Sequence, residues 1–340
     1  MRRYPAKNRV PPIFCTVKAM KIRKKLTLEN AEGYERARIP GMCLFGDSII
    51  TYCELRRSDS DWAVIDIGMR KSTDAGETWG ERRILVSGGK EDTVNNPVMA
   101  YDGEVLHFLY CRNYNRVYYR KSCDMGESFS EEREITKEIK QGLGDFYFNC
   151  IALGPCHFTV LKSGRLLVPV WLSYNKTDEK SHHPSVIAVL YSDDKGESWK
   201  IGEINSQLND PSEFSVAEDK NGNVTANIRH ENPERCRAVA HIGENCEIRN
   251  IRFIKELIDP VCCAGFCSFN EGYLFSNCAD ENERIRLTVR SLSDDFSVRE
   301  SLLINEEGGY SDIAFSAEKN EAYIIYEHGK HLDLCVVDIN

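Results

Sequence analysis

Ser72-Thr-Asp74-Ala-Gly76-Glu-Thr-Trp79 says more about this chain than any other eight residues, because its pattern returns twice. The copies are Ser122-Cys-Asp124-Met-Gly126-Glu-Ser-Phe129 and Ser192-Asp-Asp194-Lys-Gly196-Glu-Ser-Trp199. The shared rule is Ser-x-Asp-x-Gly-x-x-aromatic, and each copy follows a segment that reads as a strand. In a hairpin turn the Asp carboxylate caps turn amides, the Gly takes a positive φ, and the ring plugs into the adjacent sheet. A weaker echo, Ser293-Asp294-Asp295-Phe296, follows the strand at 287–290. One such turn is ordinary and structural. Copies 50 and 70 residues apart mean that a sheet-sized unit repeats, and the closure this implies is a propeller. At roughly 45–57 residues per four-stranded blade, a chain of 340 residues makes six blades.

The flanking sequence agrees. Short alternating segments at 105–111, 165–170, 186–191 and 322–326 lie beside Gly, Asp or Asn, as half-buried strands do. Asp102-Gly103, Ser163-Gly164 and Asn221-Gly222-Asn223 read as hairpin loops. Only 130–140 offers a short helix, and its charge density argues against one. The expectation is an all-β, six-bladed β-propeller. Residues 1–25 read as an N-terminal extension supplying an edge strand or arm, and 26–340 as one propeller domain.

Composition limits the function. Hydrophobic residues make up 41%, enough for a sizeable core. The net charge is -9, from 44 basic and 53 acidic residues, a field that disfavours nucleic acid and anionic membranes. An anionic ligand must then be caught by a local group of arginines. No apolar stretch approaches transmembrane length, and residues 1–25 show no apolar run of the signal-peptide kind. With 14 cysteines, no Cys-x-x-Cys pair and no export signal recognised, the expectation is reduced thiols in a cytoplasmic protein, with secretion by another route left open. The His182–His183 pair lacks a ligand partner at useful spacing, so neither metal nor cofactor is expected. Nothing in the sequence sets the oligomeric state.

The octapeptides resemble the Asp boxes of the sialidase superfamily, and from Tyr34 to the C-terminus the chain resembles a retaining exo-α-sialidase. Its landmarks follow in order. Arg38-Ile39-Pro40 is similar to the family's Arg-Ile-Pro motif, whose arginine is the first of three that grip the substrate carboxylate. Arg229, in Asn227-Ile-Arg229-His230, matches the second, and Arg284 the third, with Arg286 and Arg290 as competitors. Planar, permanently charged guanidinium groups bind a carboxylate bidentately, as lysine cannot. In Glu54-Leu-Arg56-Arg57-Ser-Asp59-Ser-Asp61-Trp62, the resemblance implies that Arg56 contacts the sugar and that Asp61 is the general acid/base, with Asp59 as runner-up. A proton donor there needs a partly dry loop that raises its pKa, with Trp62 as the shield. Tyr310, in Gly308-Gly309-Tyr310-Ser311-Asp312, is the implied nucleophile and Glu213 its base. Sialidases attack with tyrosine where most glycosidases use a carboxylate. A phenol avoids the charge repulsion that a carboxylate would meet beside the sugar's own carboxylate.

Smaller matches extend the likeness. Asn96-Pro97 stands where the family lines its acyl-amino pocket, Leu153-Gly154-Pro155-Cys156-His157 is similar to a Gly-Pro-Gly-His segment, and Tyr326-Glu327 to a recurring pair. The departures are the missing fourth clear Asp box, Phe129 in place of Trp, and Cys156 in place of Gly. The resemblance implies cofactor-free hydrolysis of terminal sialic acid from a sialylated glycan, with retention. The alternatives are a trans-sialidase, a hydrolase of another nonulosonic acid such as Kdn, and a non-catalytic glycan-binding propeller.

Overall fold

The computed structural model describes residues 19–270 and 272–339. Its strands pair as six antiparallel sheets arranged as the blades of a propeller. Blade I runs from the inner strand Arg36–Phe45 to the outer strand Arg83–Val86, and blade II from Val94–Tyr101 to Arg133–Glu134. Blade III runs from Cys150–Leu153 to Lys200–Ile201, blade IV from Phe214–Glu218 to Ile248–Ile258, and blade V from Gly265–Phe269 to Val298–Glu307. Blade VI starts at Ser311–Ser316 but takes its outer strand from the opposite end of the chain. There Lys21–Glu29 pairs with His331–Asp338, from Lys21↔Asp338 to Glu29↔Leu332. Backbone hydrogen bonds between the first and last strands of the described residues thus close the ring. Of the segment 1–25 assigned to an N-terminal extension, residues 1–18 lie outside the described residues, and 21–25 belong to this closing strand.

Six apolar layers fill the gaps between neighbouring blades. Ile50, Ile67 and Met69 of blade I meet Met99, Phe108 and Tyr110 of blade II. Blade VI meets blade I through Tyr323, Leu334 and Val336 against Ile49, Cys53 and Leu55. The alternating sequence supports this arrangement: successive side chains of a strand point to opposite faces, and a propeller blade has a neighbour on both.

Each octapeptide joins the third strand of its blade to the fourth. Ser72, Ser122 and Ser192 are buried, and each hydroxyl accepts from the Gly amide four residues on, at 2.9, 2.8 and 2.9 Å. Each Asp accepts the backbone N–H of the residue preceding the aromatic at 2.9 Å. The three glycines have φ of 83°, 85° and 84°, conformations open to Gly at no steric cost. The echo at Ser293 builds a tighter turn in blade V: the Phe296 amide donates to Ser293 O and the Ser297 amide to Asp295, and Phe296, at a φ of 74°, stacks on Tyr273 at 5.0 Å. A helix does form, at Thr136–Leu143 rather than 130–140. Ser130 belongs to the octapeptide turn, its amide donating to Lys121 O. Ile135 and Ile139 give the helix a buried stripe that its charge count hides.

All inner strands start on one face of the ring, and the loops joining second to third strands return there: 57–64, 113–115, 174–184, 229–235, 279–284 and 329–330. Near this face the inner strands are irregular. Register shifts separate Arg38 from Gly41 and Asn95 from Val98, with Ile39 and Asn96 at positive φ. Such bulges re-aim side chains toward a site.

Candidate active site

Three blades carry a cross-strand pair at this face. Arg38 stands opposite Glu54 in blade I. In blade IV the Arg229 amide donates to Glu213 O at 3.0 Å, and in blade VI the Glu327 amide donates to Tyr310 O at 2.9 Å. All of these side chains except that of Glu54 converge on Tyr310. Its hydroxyl donates to Glu213 Oε1 and accepts from Arg229 Nη1 at 2.8 Å. Glu213 also accepts from Arg229 at 2.6 Å and from Ser212 Oγ at 2.8 Å. The guanidinium carbons of Arg38 and Arg284 lie 5.1 and 5.3 Å from the Tyr310 ring centre. Glu327 binds Arg38 Nε at 3.0 Å and takes the amides of Ile39 and Tyr310 at 3.1 and 3.2 Å.

The electrostatics follow from this packing. Burial, helped by the Glu213 carboxylate, pushes the Tyr310 phenol well above its ordinary range against the pull of Arg229, Arg284 and Arg38. Burial also works upward on Glu213, but Arg229 and the Tyr310 hydroxyl outweigh it and bring Glu213 down to about 2. At rest, then, a neutral phenol points its proton at an ionised carboxylate. The two glycines before Tyr310 serve close packing rather than a left-handed turn, since neither has positive φ. A Cβ on Gly309 would lie 2.5 Å from Glu327 Oε2, and one on Gly308 3.0 Å from Cys278 Sγ.

Asp61 projects from the second loop of blade I and pairs with Arg56 Nη1 at 2.6 Å and Arg38 Nη1 at 3.9 Å. Contrary to expectation its pKa is not raised. Burial works upward, but Arg56, with Arg38 and His182 behind it, holds the carboxyl below its usual range. Trp62 does not cap it. The indole packs 4.7 Å from Tyr114 and 5.6 Å from His182, and the Asp61 side chain stays 42% exposed. Asp59 faces outward to Arg36 at 2.8 Å and has no part in this cluster. Arg56 is almost wholly covered, with its guanidinium divided between Asp61 and Glu54.

A family profile described as a BNR repeat-like domain matches residues 58–321. The chain belongs to the sialidase family with BNR repeats. It is 26% identical to human Sialidase-3 over 324 residues, covering 86% of this chain and 72% of that protein. Against a sialidase of Bacteroides fragilis (strain YCH46) it is 25% identical over 309 residues, covering 77% of this chain but 54% of the relative. The chain thus spans about half to under three-quarters of the length of these relatives. In fold it is similar to the Hadza microbial sialidase Hz136, with a TM-score of 0.77 at 23% identity over 91% of this chain and 67% of that one. The Ruminococcus gnavus intramolecular trans-sialidase superposes with a TM-score of 0.72 at 14% identity, over 91% of this chain and 96% of that one.

In this sialidase-family chain Arg38, Arg56, Asp61, Glu213, Arg229, Arg284 and Tyr310 line one cleft of about 170 Å³, together with Asn96, Tyr114, Trp171 and His182. Of the competing arginines, Arg286 does not line the cleft and Arg290 is buried on Asn277 at 2.6 Å. Arg284 makes no ion pair among the described residues and is open to a ligand. A larger cavity of about 370 Å³ opens on the opposite face, but it is lined by Met42, Met99, Phe158 and Phe315 and holds no arginine. Tyr114, Trp171 and His182 escaped the sequence reading because Tyr114 sits in a tight turn, Trp171 in a wholly buried strand, and His182 in a loop without pattern. Glu54 escaped it because its partner Arg56 was read as facing the sugar. The thirteen cysteines described are all free and only Cys123 is exposed. Among the described residues one possible metal-donor group exists, His183, Asp210 and Glu231. His183 does therefore have partners, from distant loops. Its two ring nitrogens face one carboxylate each, at 3.6 and 3.8 Å. No helix among the described residues is long and apolar enough to cross a membrane.

Proposed function

We propose that this protein is an exo-α-sialidase that removes terminal α-linked sialic acid from glycans with retention, through a tyrosyl intermediate. The observation that carries the reading is the Tyr310–Glu213 hydrogen bond inside a ring of three arginines. Arg38, Arg229 and Arg284 bind the sugar carboxylate and orient the ring. Glu213 takes the phenol proton as Tyr310 attacks carbon 2, and the arginines stabilise the phenolate character that develops. Asp61 protonates the departing oxygen and later takes a proton from the attacking water.

The lowered proton affinity of Asp61 is compatible with this role. The cleft and its walls hold four guanidiniums (Arg38, Arg56, Arg229, Arg284) and four carboxylates (Glu54, Asp61, Glu213, Glu327). A substrate carboxylate adds a fifth negative charge and competes for Arg38. Of the four carboxylates Asp61 is the most exposed, and it takes up the compensating proton. Release of 4-methylumbelliferone from its α-N-acetylneuraminic acid conjugate tests the reading, with wild type beside Asp61→Ala and Tyr310→Phe. Turnover that both variants largely lose supports it. Silence on this conjugate and on its Kdn analogue, with sialoside binding retained, returns the chain to a binding propeller. Product NMR distinguishes hydrolysis from transfer.

A further inference from the structure

We propose that Glu54, which does not line the cleft, is a positioning residue that governs how readily Asp61 holds a proton, acting through Arg56. The inference rests on the reading of Asp61 as the acid. Glu54 is fully buried. Its Oε2 lies 2.6 Å from Arg56 Nη2 and 2.8 Å from Nε, and its Oε1 accepts the Asn96 amide at 2.8 Å. On the far side of the same guanidinium, Arg56 Nη1 meets Asp61 Oδ1 at 2.6 Å. One buried cation is therefore shared between an enclosed carboxylate and a half-open one.

Burying a carboxylate is expensive unless its charge is matched, and a neutral acceptor would suffice merely to aim Arg56. What the charge adds is electrostatic. Asp61 faces Arg56 and Arg38 from blade I, Tyr114 from blade II and His182 from blade III. Glu54 faces Arg56, the Asn96 amide, Tyr114 and the thiols of Cys53 and Cys111. Within this set Glu54 and Asp61 are the two carboxylates; burial pushes Glu54 upward, and Arg56 with the Asn96 amide pulls against it. Without the Glu54 charge, Arg56 serves Asp61 alone, holds its carboxylate form harder, and leaves less of the protonated acid that the first step needs. Glu54 also anchors the Asn96 amide at the cleft wall, tying blade I to blade II at the level of the acid.

The test is kcat against pH for wild type, Glu54→Gln and Glu54→Asp on two substrates. Sialyllactose needs its leaving oxygen protonated, whereas the methylumbelliferyl glycoside leaves with little help. The expected result for Glu54→Gln on sialyllactose is a basic limb moved to lower pH by about half a unit or more, with kcat rather than KM carrying the loss. The aryl substrate should show a clearly smaller loss. Glu54→Asp, with its carboxylate one methylene further from Arg56, should shift the limb the same way but less. An unmoved limb in a folded, active variant overturns the proposal, as does an equal loss on both substrates at every pH. Melting curves verify folding; should Glu54→Gln fail to fold, the limb of Glu54→Asp decides on the same terms. A wild type silent on both substrates defeats the sialidase reading itself, which keeps the two failures apart.

Discussion

Tyr310 and Glu213 show how one buried pair sets both stability and chemistry. Tyr310→Phe removes the proposed nucleophile but leaves the Glu213–Arg229 ion pair in place, so turnover should fall by about 10²-fold or more with little change in melting temperature. Glu213 predicts a pH dependence of stability. Its folded pKa, about 2, lies below its ordinary value, so its contribution is complete above the unfolded pKa, near 4.3, and fades as pH falls toward 2. Glu213→Gln should flatten the melting temperature across that interval, and an unchanged slope would show that Glu213 is not held as an anion. The charge balance of the cleft makes a third prediction. Binding of a non-hydrolysable unsaturated sialic acid near pH 6–7 should take up close to one proton in wild type and far less in Asp61→Asn. Calorimetry in buffers of differing ionisation enthalpy reads that number directly.

At the scale of elements, the Asp-box turns separate stability from activity. The Ser192 hydroxyl is buried, accepts the Gly196 amide and donates to Asp194. Ser192→Ala leaves that amide without its acceptor and should cost about 1–2 kcal/mol while leaving kcat unchanged, since the turn is far from the cleft. Gly309→Ala should lower both stability and kcat, because its Cβ displaces Glu327, a buried carboxylate that orients Arg38. These turns were legible because their physics is local: Ser, Asp and Gly at fixed offsets satisfy one another within eight residues. The repeat count and the inner-strand landmarks followed. The helix at Thr136–Leu143 was misplaced because its apolar stripe is short and embedded in charge. The acidity of Asp61 was misjudged for a related reason. Loop composition suggests a dry carboxyl, but its pKa is set by Arg56 and Arg38, and sequence spacing does not reveal which guanidinium a carboxylate meets. The Glu213–Tyr310 contact joins residues 97 apart in the chain, and only the family likeness made it readable.

For the whole molecule, the decisive bond is between ends. The strand Lys21–Glu29 completes blade VI, Leu28 packs in the layer shared with blade I, and the buried Glu29 receives Arg70 and Arg82 at 3.1 and 2.8 Å. The propeller's closure therefore depends on a strand far in sequence from its partner. Lys21 pairs with Asp338 at the rim opposite the cleft, whereas Glu29 and Leu332 lie toward the cleft. A short linker from the residues after Asp338 to those before Lys21 would spare the ring, and fresh ends could be cut at the exposed Asn221-Gly222 hairpin on that same side. Such a circularly permuted enzyme should keep its kinetics. By the same geometry, a bead, a pole or a fusion partner tethered at the Lys21 or Asp338 end of this strand pair would hold the mouth of the cleft facing away from its anchor.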